Sequence, residues 1–457
     1  MPRTSTTKQA ASTRGRLDQP DLGPVEQIPI DLLKPYAGNA RTHDERQLAK
    51  IKSSLEAFGW MNAILAEQDG TIIAGHGRWL AAKSLGLAQV PVIRVEHLTP
   101  DAARAYRLAD NRLAELSGWD RDTLEIELQH LSTIELDFNI ETIGWDHAEI
   151  DLLLDPESEE RTDPIDENVL LPEEIAISRL GDLWLLGPHR LLCGSALESE
   201  AFGVLMDGKK ARMVFVDAPY NVKITGHVSG LGKTQHREFA MASGEMADNE
   251  FQGFLGTNAK LLADNCEDGA ILDMCMDWRG LLNLQLAIRQ AGLNLINLAV
   301  WVKSNGGMGS LLRSQHELVL ITKKGKAPHI NNVELGKHGR YRTNVWRYPG
   351  VNSFGKNRME QLGAHPTPKP VAMVADAIRD VSHRGQIVLD SFMGSGTTLL
   401  AAERTSRIAY GMDLDPGYVD LTIRRWEKMT GQTARLAATG QTLVELAAER
   451  LAATPIE

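Results

Sequence analysis

The chain has 457 residues, a hydrophobic fraction of 43% and a formal net charge of −11 at neutral pH. This length allows two or three domains, and the composition is ordinary for a globular protein in water. The sequence shows no apolar run long enough to span a bilayer and no signal-peptide pattern. Its three cysteines, Cys193, Cys266 and Cys275, have neither metal-site nor disulfide spacing, and we expect a cytoplasmic protein.

The negative charge is concentrated in one short stretch. Residues 141–174 hold 13 acidic side chains and one basic side chain, which leaves about +1 for the rest of the chain. Residues 301–370 hold 12 Lys or Arg against 3 Glu. A basic stretch of this size can contact nucleic-acid phosphates, although a solvated surface is the competing interpretation. The net charge therefore does not exclude a nucleic-acid partner.

The N-terminal third of the chain predicts an arm followed by a small α+β module. Residues 1–22 are rich in Ser, Thr, Arg and Pro without periodicity, and predict a disordered basic arm. Residues 23–154 predict a compact domain with a helical extension. Its predicted elements are a strand at 25–30, a helix at 44–58, strands at 64–66 and 71–74, a helix at 75–85 and a strand at 90–95.

This order of elements, with Gly75-His76-Gly77-Arg78 opening the second helix, resembles the ParB/sulfiredoxin-like N-terminal domain over residues 24–115. In that family a Gly-Glu-Arg-Arg loop at the matching place holds nucleotide phosphates. The resemblance therefore implies a nucleoside triphosphate site at Gly75 and Arg78, and a purely structural strand-to-helix turn is the alternative. The helical segment from Pro100 to Leu154 shows no helix-turn-helix spacing.

Three further segments complete the predicted organisation. Residues 155–172 are acidic, contain three prolines and predict an exposed linker. Residues 173–431 predict a second, larger module. Residues 432–457, with Leu436, Leu443, Leu446 and Leu451, predict a terminal amphipathic helix.

Two loops of the second module each follow a short apolar strand pattern. Asp217-Ala218-Pro219-Tyr220 follows Val216, and a glycine loop running from Ser391 to Thr398 follows Asp390. In an open parallel sheet, ligands bind where such strands end. The first loop offers a carboxylate, a carbonyl and an aromatic face, and the second suits a cofactor. A Walker phosphate loop does not fit, because no lysine follows Gly396.

Together the two loops resemble the catalytic and cofactor loops of amino-directed DNA methyltransferases. Their order, with the basic segment between them, is similar to the beta class over residues 178–428. The resemblance implies a doubly wound, mostly parallel, seven-stranded Rossmann-like α/β sheet, S-adenosylmethionine as cofactor and double-stranded DNA as partner. Asp217 is typical of adenine-N6 enzymes, and cytosine-N4 methylation remains the near alternative. Cytosine-C5 chemistry is disfavoured because no cysteine follows a proline.

The resemblance gives each residue of the catalytic loop a role. Asp217 and the carbonyl of Ala218 accept hydrogen bonds from the target amine, whose lone pair is otherwise delocalised into the base. Pro219 stiffens the loop, and Tyr220 stacks on the flipped base. Ala218 stands where the family has its first proline, so we expect activity to persist with some loss of rigidity.

The resemblance also implies a cofactor site. Asp413, at the end of the next strand, takes the ribose hydroxyls. Lys369 pairs with the methionine carboxylate. Thr397 and Thr398 cap the helix after the loop. Ser195 stands where the family has an aspartate against the adenine. The predicted cofactor residues are Asp390, Phe392, Gly394, Gly396, Thr397, Asp413, Thr367, Lys369 and Ser195.

DNA contacts are predicted in the basic segment. We expect residues 301–364 to carry target recognition, and residues 221–246 to form a loop that closes over DNA. The candidate DNA-binding side chains are Lys303, Arg313, Lys323, Lys324, Arg340 and Arg342. The sequence is compatible with a homodimer. The alternative function is that of a noncatalytic, nucleotide-responsive DNA-binding protein with a decayed methyltransferase site.

Overall fold

A computed structural model of the chain describes residues 23–134, 136–154, 166, 172, 175–222, 242, 244–304, 306, 311–333, 342–350 and 368–452. They form two compact units, divided between Asp146 and His147. The predicted arm at 1–22, most of the acidic linker and most of the predicted closing loop lie outside the described residues.

The N-terminal unit is a four-stranded sheet with helices packed against it. The strands are β1 (Val25–Pro29), β2 (Ile64–Ala66), β3 (Ile72–Ala74) and β4 (Gln89–Arg94), in the order β1-β4-β2-β3. The helices are α1 (Glu45–Phe58), α2 (His76–Ser84), α3 (Pro100–Glu115) and α4 (Arg121–Thr133), with short 3-10 turns at Ile30–Leu32 and Ile140–Ile143. The predicted small α+β domain is confirmed, and β1 lies at one edge of its sheet.

Local signals explain why these boundaries were predictable. Asp44 precedes α1 and its side chain accepts a hydrogen bond from the Gln47 amide at 2.7 Å. Gly59 ends the same helix with a φ of +70°, which favours glycine. Thr99 caps α3 in the same way as Asp44, and Pro100 occupies the first turn where it loses no hydrogen bond.

Helix α5 (His147–Leu154) opens the C-terminal unit, although the sequence placed it with the N-terminal module. Asp151 forms a two-pronged ion pair with Arg407, with oxygen–nitrogen distances of 3.1 and 2.8 Å. The His147 ring stacks on His383 at 4.4 Å between centroids. These contacts join residues far apart in the chain, so local sequence could not reveal them.

The predicted exposed linker is not exposed at Asp166, one of its two described residues. Only 3% of Asp166 is accessible, and its carboxylate accepts a hydrogen bond from the Val371 amide at 3.0 Å. Asp166 therefore anchors the start of a helix in the C-terminal unit.

The C-terminal unit is built on a ten-stranded mixed sheet. The strands are β5 (Leu183–Leu186), β6 (His189–Cys193), β7 (Ala211–Val216), β8 (Cys266–Met276), β9 (Leu293–Val302), β10 (His316–Lys324), β11 (Val345–Arg347), β12 (Ile387–Asp390), β13 (Ile408–Asp413) and β14 (Arg435–Leu436). Their order in the sheet is β11-β9-β10-β8-β7-β12-β13-β6-β5-β14. The seven strands from β9 to β6 are parallel except for β10. They are the predicted doubly wound sheet, and β5, β11 and β14 extend its edges.

Helices cover both faces of this sheet. They are α6 (Ser199–Met206), α7 (Asp248–Asp264), α8 (Leu281–Gln290), α9 (Val371–Val381), α10 (Thr397–Arg404), α11 (Pro416–Thr430) and α12 (Leu443–Ala452). Successive β7 residues face opposite sides, so Met213 and Phe215 pack with α9 to α12 while Val214 and Val216 pack with α6 to α8. The predicted terminal helix starts at Leu443, because Leu436 instead pairs in β14.

The strand order reverses between β7 and β12. From β7 the chain continues to its neighbour β8, whereas from β12 it continues to β13 on the other side. The connections after these two strands therefore diverge and leave a crevice at their carboxyl ends. Ligands of open α/β sheets bind in such a crevice.

Candidate active site

The predicted catalytic and cofactor loops both open into this crevice. Asp217 directly follows β7, Ser391 directly follows β12, and Asp413 ends β13. Asn258, 2% exposed on α7, donates hydrogen bonds to the Ala196 carbonyl at 3.1 Å and to the Ser391 hydroxyl at 2.9 Å. Asn258 thus ties the loop after β6 to the cofactor loop, a role that the sequence analysis missed.

Lys369 is the centre of a buried polar cluster at the catalytic loop. Its ammonium group lies 2.5 Å from Asp217 Oδ2, 3.0 Å from Glu317 Oε2 and 3.3 Å from the Tyr220 hydroxyl. Tyr220 in turn donates a hydrogen bond to Asp217 Oδ1 at 2.7 Å. Lys303 pairs with the other oxygen of Glu317. Lys369 was predicted to meet the cofactor carboxylate, and in the structure its ammonium group contacts Asp217.

We call Asp217, Tyr220, Lys303, Glu317 and Lys369 the catalytic-loop cluster. Its two carboxylates and two ammonium groups balance in charge. Burial alone would raise the Glu317 pKa, but the two ammonium groups outweigh burial and lower that pKa to about 2. Burial alone would lower the Lys369 pKa, but the two carboxylates raise it above its usual value. Burial, reinforced by both carboxylates, raises the pKa of Tyr220.

Glu317 and Lys303 reach the cluster because β10 runs against its neighbours. Lys303 follows the carboxyl end of β9, while Glu317 lies at the start of the antiparallel strand β10, so both are at the same sheet edge. Glu317 is only 6% exposed. A single acid at the head of the apolar run Leu318–Leu320 was the available signal, because buried carboxylates need partners.

The cofactor loop is shaped by two glycines and two aspartates. Gly394 and Gly396 have φ of +52° and +87°. The Gly394 amide donates to Asp413 Oδ2 at 2.8 Å, and the Phe392 amide donates to Asp390 Oδ1 at 2.9 Å. Burial raises the pKa of Asp390 to about 7 and that of Asp413 to about 6. Carboxylates whose pKa is raised in this way are suited to a hydroxyl-bearing or cationic ligand.

Two details of this loop differ from the prediction. A Cβ on Gly396 would approach the Thr422 side chain at 2.8 Å, so this glycine is required for the contact with α11 as well as for its backbone conformation. The cap residue of α10 is Gly396 itself, without a side-chain hydrogen bond, so Thr397 and Thr398 are not its caps. Asp415 caps α11, and its side chain accepts a hydrogen bond from the Gly417 amide.

The other predicted cofactor residues are placed as follows. Ser195 follows β6, and its hydroxyl accepts a hydrogen bond from the Leu197 amide at 3.3 Å. Phe392 packs against Phe254 of α7 with 5.7 Å between ring centroids. Thr367 lies outside the described residues.

The predicted DNA-binding side chains do not form one surface. Lys323 and Lys324 end β10, so they lie at the edge of the sheet away from the crevice, where Lys324 bonds to the Cys266 carbonyl at 2.6 Å. Arg342 is buried, with its side chain 4% exposed, and pairs with Asp380 at 2.9 Å. A DNA contact by any of these three side chains stays a prediction. Arg313 is exposed beside the start of β10.

The predicted recognition region is also partly structural. Its residues 316–324 are β10 of the central sheet, and Trp346 and Tyr348 are 4% and 1% exposed in the core. Arg340 lies outside the described residues. A pocket of about 330 Å³ lies beside the catalytic loop and is lined by Tyr220, Asn221, Asp248 and Arg279 among others.

The N-terminal unit has a cleft of its own. Gly75 and Arg78 line a volume of about 450 Å³ together with Arg41, His43 and Asn111. Gly75 has a φ of +99° and precedes α2. A Cβ on Gly77 would approach the His43 ring and Ile51 at 3.0 Å, which explains glycine at the position where the ParB-like pattern has arginine. Arg78 itself bonds to the Asn62 carbonyl at 2.7 Å.

Comparison with protein-family models agrees with this architecture. Residues 211–424 match a DNA methylase family, which covers both loops and the strands that carry them. The chain therefore contains an N6/N4 DNA methylase domain. This methylase also carries a ParB N-terminal domain at residues 17–112 and a ParB-methyltransferase helix-turn-helix domain at residues 122–180. The latter overturns our expectation that the helical extension had no helix-turn-helix character.

Known relatives match different parts of the methylase. The ParB-like nuclease domain-containing protein YnaK of Escherichia coli K12 is 48% identical over 73 residues, which are 16% of this chain and 84% of YnaK. The type II methyltransferase M2.MboI of Moraxella bovis is 25% identical over 229 residues, which are 48% of this chain and 81% of M2.MboI.

Solved structures also resemble the methylase. One is a putative DNA modification methylase from Thermus thermophilus, crystallised with S-adenosylmethionine. It is 21% identical, covers 54% of this chain and 96% of its own, and superimposes with a TM-score of 0.38.

The described residues contain no cluster of His, Cys, Asp or Glu suited to a metal ion. Among the helices that the structure describes, none has the length and apolarity needed to cross a membrane.

Proposed function

We propose that this methylase transfers a methyl group from S-adenosylmethionine to the N6 amine of a flipped adenine in double-stranded DNA. The observation that carries the proposal is the meeting of two loops at one crevice. Asp217 directly follows β7, and the glycine loop directly follows the adjacent strand β12. The methyl acceptor and the methyl donor would therefore be held side by side, which is the main requirement of direct transfer.

The residues of the crevice fit S-adenosylmethionine. Asp413 would hold the ribose hydroxyls. Asp390 would face the amino-acid end of the cofactor, whose ammonium group would compensate the buried Asp390 carboxylate. Burial has already raised the pKa of Asp390 to about 7. Ser195 and Phe392 would contact the adenine ring of the cofactor, and Thr367 would contact its amino-acid end. When bound, the cofactor supplies an electrophilic methyl group.

The chain's own residues would activate the amine. Asp217 and the Ala218 carbonyl would accept its hydrogen bonds, which draws the nitrogen lone pair out of conjugation. The Asp217 carboxylate would also take the proton that the nitrogen sheds after methylation. Pro219 would stiffen the loop, and the half-buried Tyr220 would give the extruded base a stacking surface beside the adjoining pocket.

Adenine is preferred over cytosine because position 217 carries a carboxylate, and cytosine-N4 methylation is the alternative. Arg313 is exposed beside the start of β10 and would meet DNA phosphates, whereas the Lys303 ammonium is held by Glu317. We place the enzyme in the cytoplasm with DNA as its partner, and a homodimer is compatible with this role.

A second ligand is proposed for the N-terminal unit. The cleft at Gly75 and Arg78 has room for part of a nucleoside triphosphate, and Arg78 provides a phosphate partner. Fluorescent nucleotide binding that is lost in Arg78→Ala would support the assignment. Equal binding by both proteins, or binding by neither, would contradict it.

The test of methyl transfer uses tritiated S-adenosylmethionine and unmethylated genomic DNA. We expect Asp217→Asn to lower the rate by roughly 10²–10³-fold, as for loss of one preorganised polar contact. The matched control is Asp207→Asn, at an exposed aspartate that pairs with Arg190. A folded wild-type protein that binds DNA and transfers no tritium would refute the proposal in favour of a noncatalytic DNA-binding protein.

A further inference from the structure

Asp217 is already occupied in the catalytic-loop cluster. Oδ1 accepts a hydrogen bond from Tyr220 and Oδ2 faces the Lys369 ammonium at 2.5 Å. A target amine that bonds to Asp217 must therefore compete with a cation. An ammonium–carboxylate contact is stronger than a contact between a neutral amine and the same carboxylate. The competition favours the lysine unless Lys369 has another anion to bind.

Glu317 is that second anion. Lys369 has three hydrogens and three acceptors within reach, which are Asp217, Glu317 and the Tyr220 oxygen. Lys369 is 4% exposed, so water cannot replace a lost partner. A small shift of the ammonium from Asp217 toward Glu317 keeps the charge inside the cluster and leaves one Asp217 oxygen for the amine.

Glu317 is held in place for this role. It lies on β10 in register with Trp301 of β9, and its second oxygen is bound by Lys303. A strand position with a fixed counter-ion gives Lys369 a stationary partner. The Tyr220 hydroxyl also lies 3.1 Å from Glu317 Oε2. Glu317 therefore contacts Tyr220, Lys303 and Lys369, which are all the other members of the cluster except Asp217.

We propose that Glu317 is a positioning residue for methyl transfer, which takes the Lys369 ammonium when the target amine binds Asp217. The inference rests on the proposed function and adds a residue to that same site. It makes Lys369 a competitor of the substrate amine in the resting enzyme, and Glu317 the group that relieves the competition.

The first test separates catalysis from binding. Glu317→Gln keeps the shape and removes the charge, so Lys369 should stay on Asp217. We expect kcat to fall by about tenfold or more, which corresponds to about 1.4 kcal/mol of barrier, while KM for S-adenosylmethionine changes less than about twofold. Glu317→Asp keeps the charge and should recover part of kcat. A rise in KM alone, or a Glu317→Asp variant no better than Glu317→Gln, would overturn the proposal.

The second test uses the competitor itself. In the double variant Glu317→Gln/Lys369→Met the ammonium is gone and Asp217 is free, so kcat should exceed that of Glu317→Gln alone. A double variant no faster than Glu317→Gln would show that Glu317 does not act through Lys369. A Lys369→Met variant that loses only cofactor affinity would also overturn the proposal, because Lys369 would then belong to the cofactor site.

Folding defects are controlled with a buried carboxylate elsewhere. Asp376 is 1% exposed on α9 and pairs with Arg379 and Tyr348. Asp376→Asn should lower thermal stability without the kcat loss of Glu317→Gln. The activity of the wild-type protein distinguishes failure of the proposed function from failure of the role proposed for Glu317. An inactive wild type refutes the proposed function, whereas an active wild type with an equally active Glu317→Gln variant refutes only the role of Glu317.

Discussion

The ion pair between Asp151 and Arg407 allows a quantitative test of where the C-terminal unit begins. The Arg407 side chain is 0% exposed and Asp151 is 3% exposed. Burial alone would raise the Asp151 pKa, but Arg407 and Arg384 outweigh it and lower the pKa below its usual value. Asp151→Ala leaves a buried guanidinium whose remaining acceptors are the Ser382 hydroxyl and the Ser382 and Thr405 carbonyls. We expect a loss of about 3 kcal/mol in the free energy of unfolding, at the low end for a broken buried pair.

Urea unfolding of the full chain measures this loss. With an m-value of about 3 kcal/mol/M, a loss of about 3 kcal/mol moves the midpoint of the C-terminal unit by about 1 M. The matched control is Asp264→Ala, which removes an exposed pair with Lys260 and should cost less than about 0.5 kcal/mol. Because the folded pKa of Asp151 is depressed, the wild-type advantage is fully present above pH 3.8 and is lost below it, as pH falls through the lower folded pKa. Equal midpoints for Asp151→Ala and the control would refute the assignment of α5 to the C-terminal unit.

Three further outcomes are expected. Burial raises the Asp390 pKa to about 7, so the folded cofactor-free protein binds the extra proton and its stability falls as pH rises from 3.8 to 7. Asp390→Asn should flatten that part of the pH–stability curve, and an unchanged curve would contradict the burial argument. Arg342→Ala should lower thermal stability and leave the salt dependence of DNA binding unchanged, whereas Arg313→Ala should reduce the salt slope by about one unit with little change in stability. The reverse pattern in those two variants would restore Arg342 as a phosphate contact. Asn258→Ala should weaken cofactor binding measured by calorimetry by about tenfold, because it unties Ser391 from the loop after β6; unchanged affinity would show that this tie is dispensable.

The features that could be predicted from the sequence are those encoded locally. Asp217 and Ser391 were assigned to strand ends because each follows an apolar run that stops at a loop residue. The parallel sheet then brings such ends together, so the crevice followed from the pattern. The N-terminal strands and helices were predictable for the same reason, because their ends are marked by neighbouring residues. Asp44 and Gly59, for example, directly flank α1.

The features that could not be predicted depend on strand direction and distant partners. Because β10 is antiparallel, Glu317 at its start lies at the crevice while Lys324 at its end lies at the opposite edge. The number of Lys and Arg residues in a stretch of sequence does not reveal which of the two sheet edges each of them occupies. Arg342 looked like a phosphate contact until Asp380, 38 positions away, provided its partner. Asp166 looked solvated for a similar reason, since its hydrogen-bond donor is the Val371 amide.

The central claim is best tested by identifying the modified base directly. Unmethylated DNA would be incubated with the full-length protein and S-adenosylmethionine that carries a deuterated methyl group, then digested to nucleosides and analysed by mass spectrometry. Our account predicts labelled N6-methyladenine that is absent with Asp217→Asn. Labelled N4-methylcytosine instead would contradict the adenine assignment, and unlabelled nucleosides from a folded, DNA-bound protein would contradict methyl transfer itself.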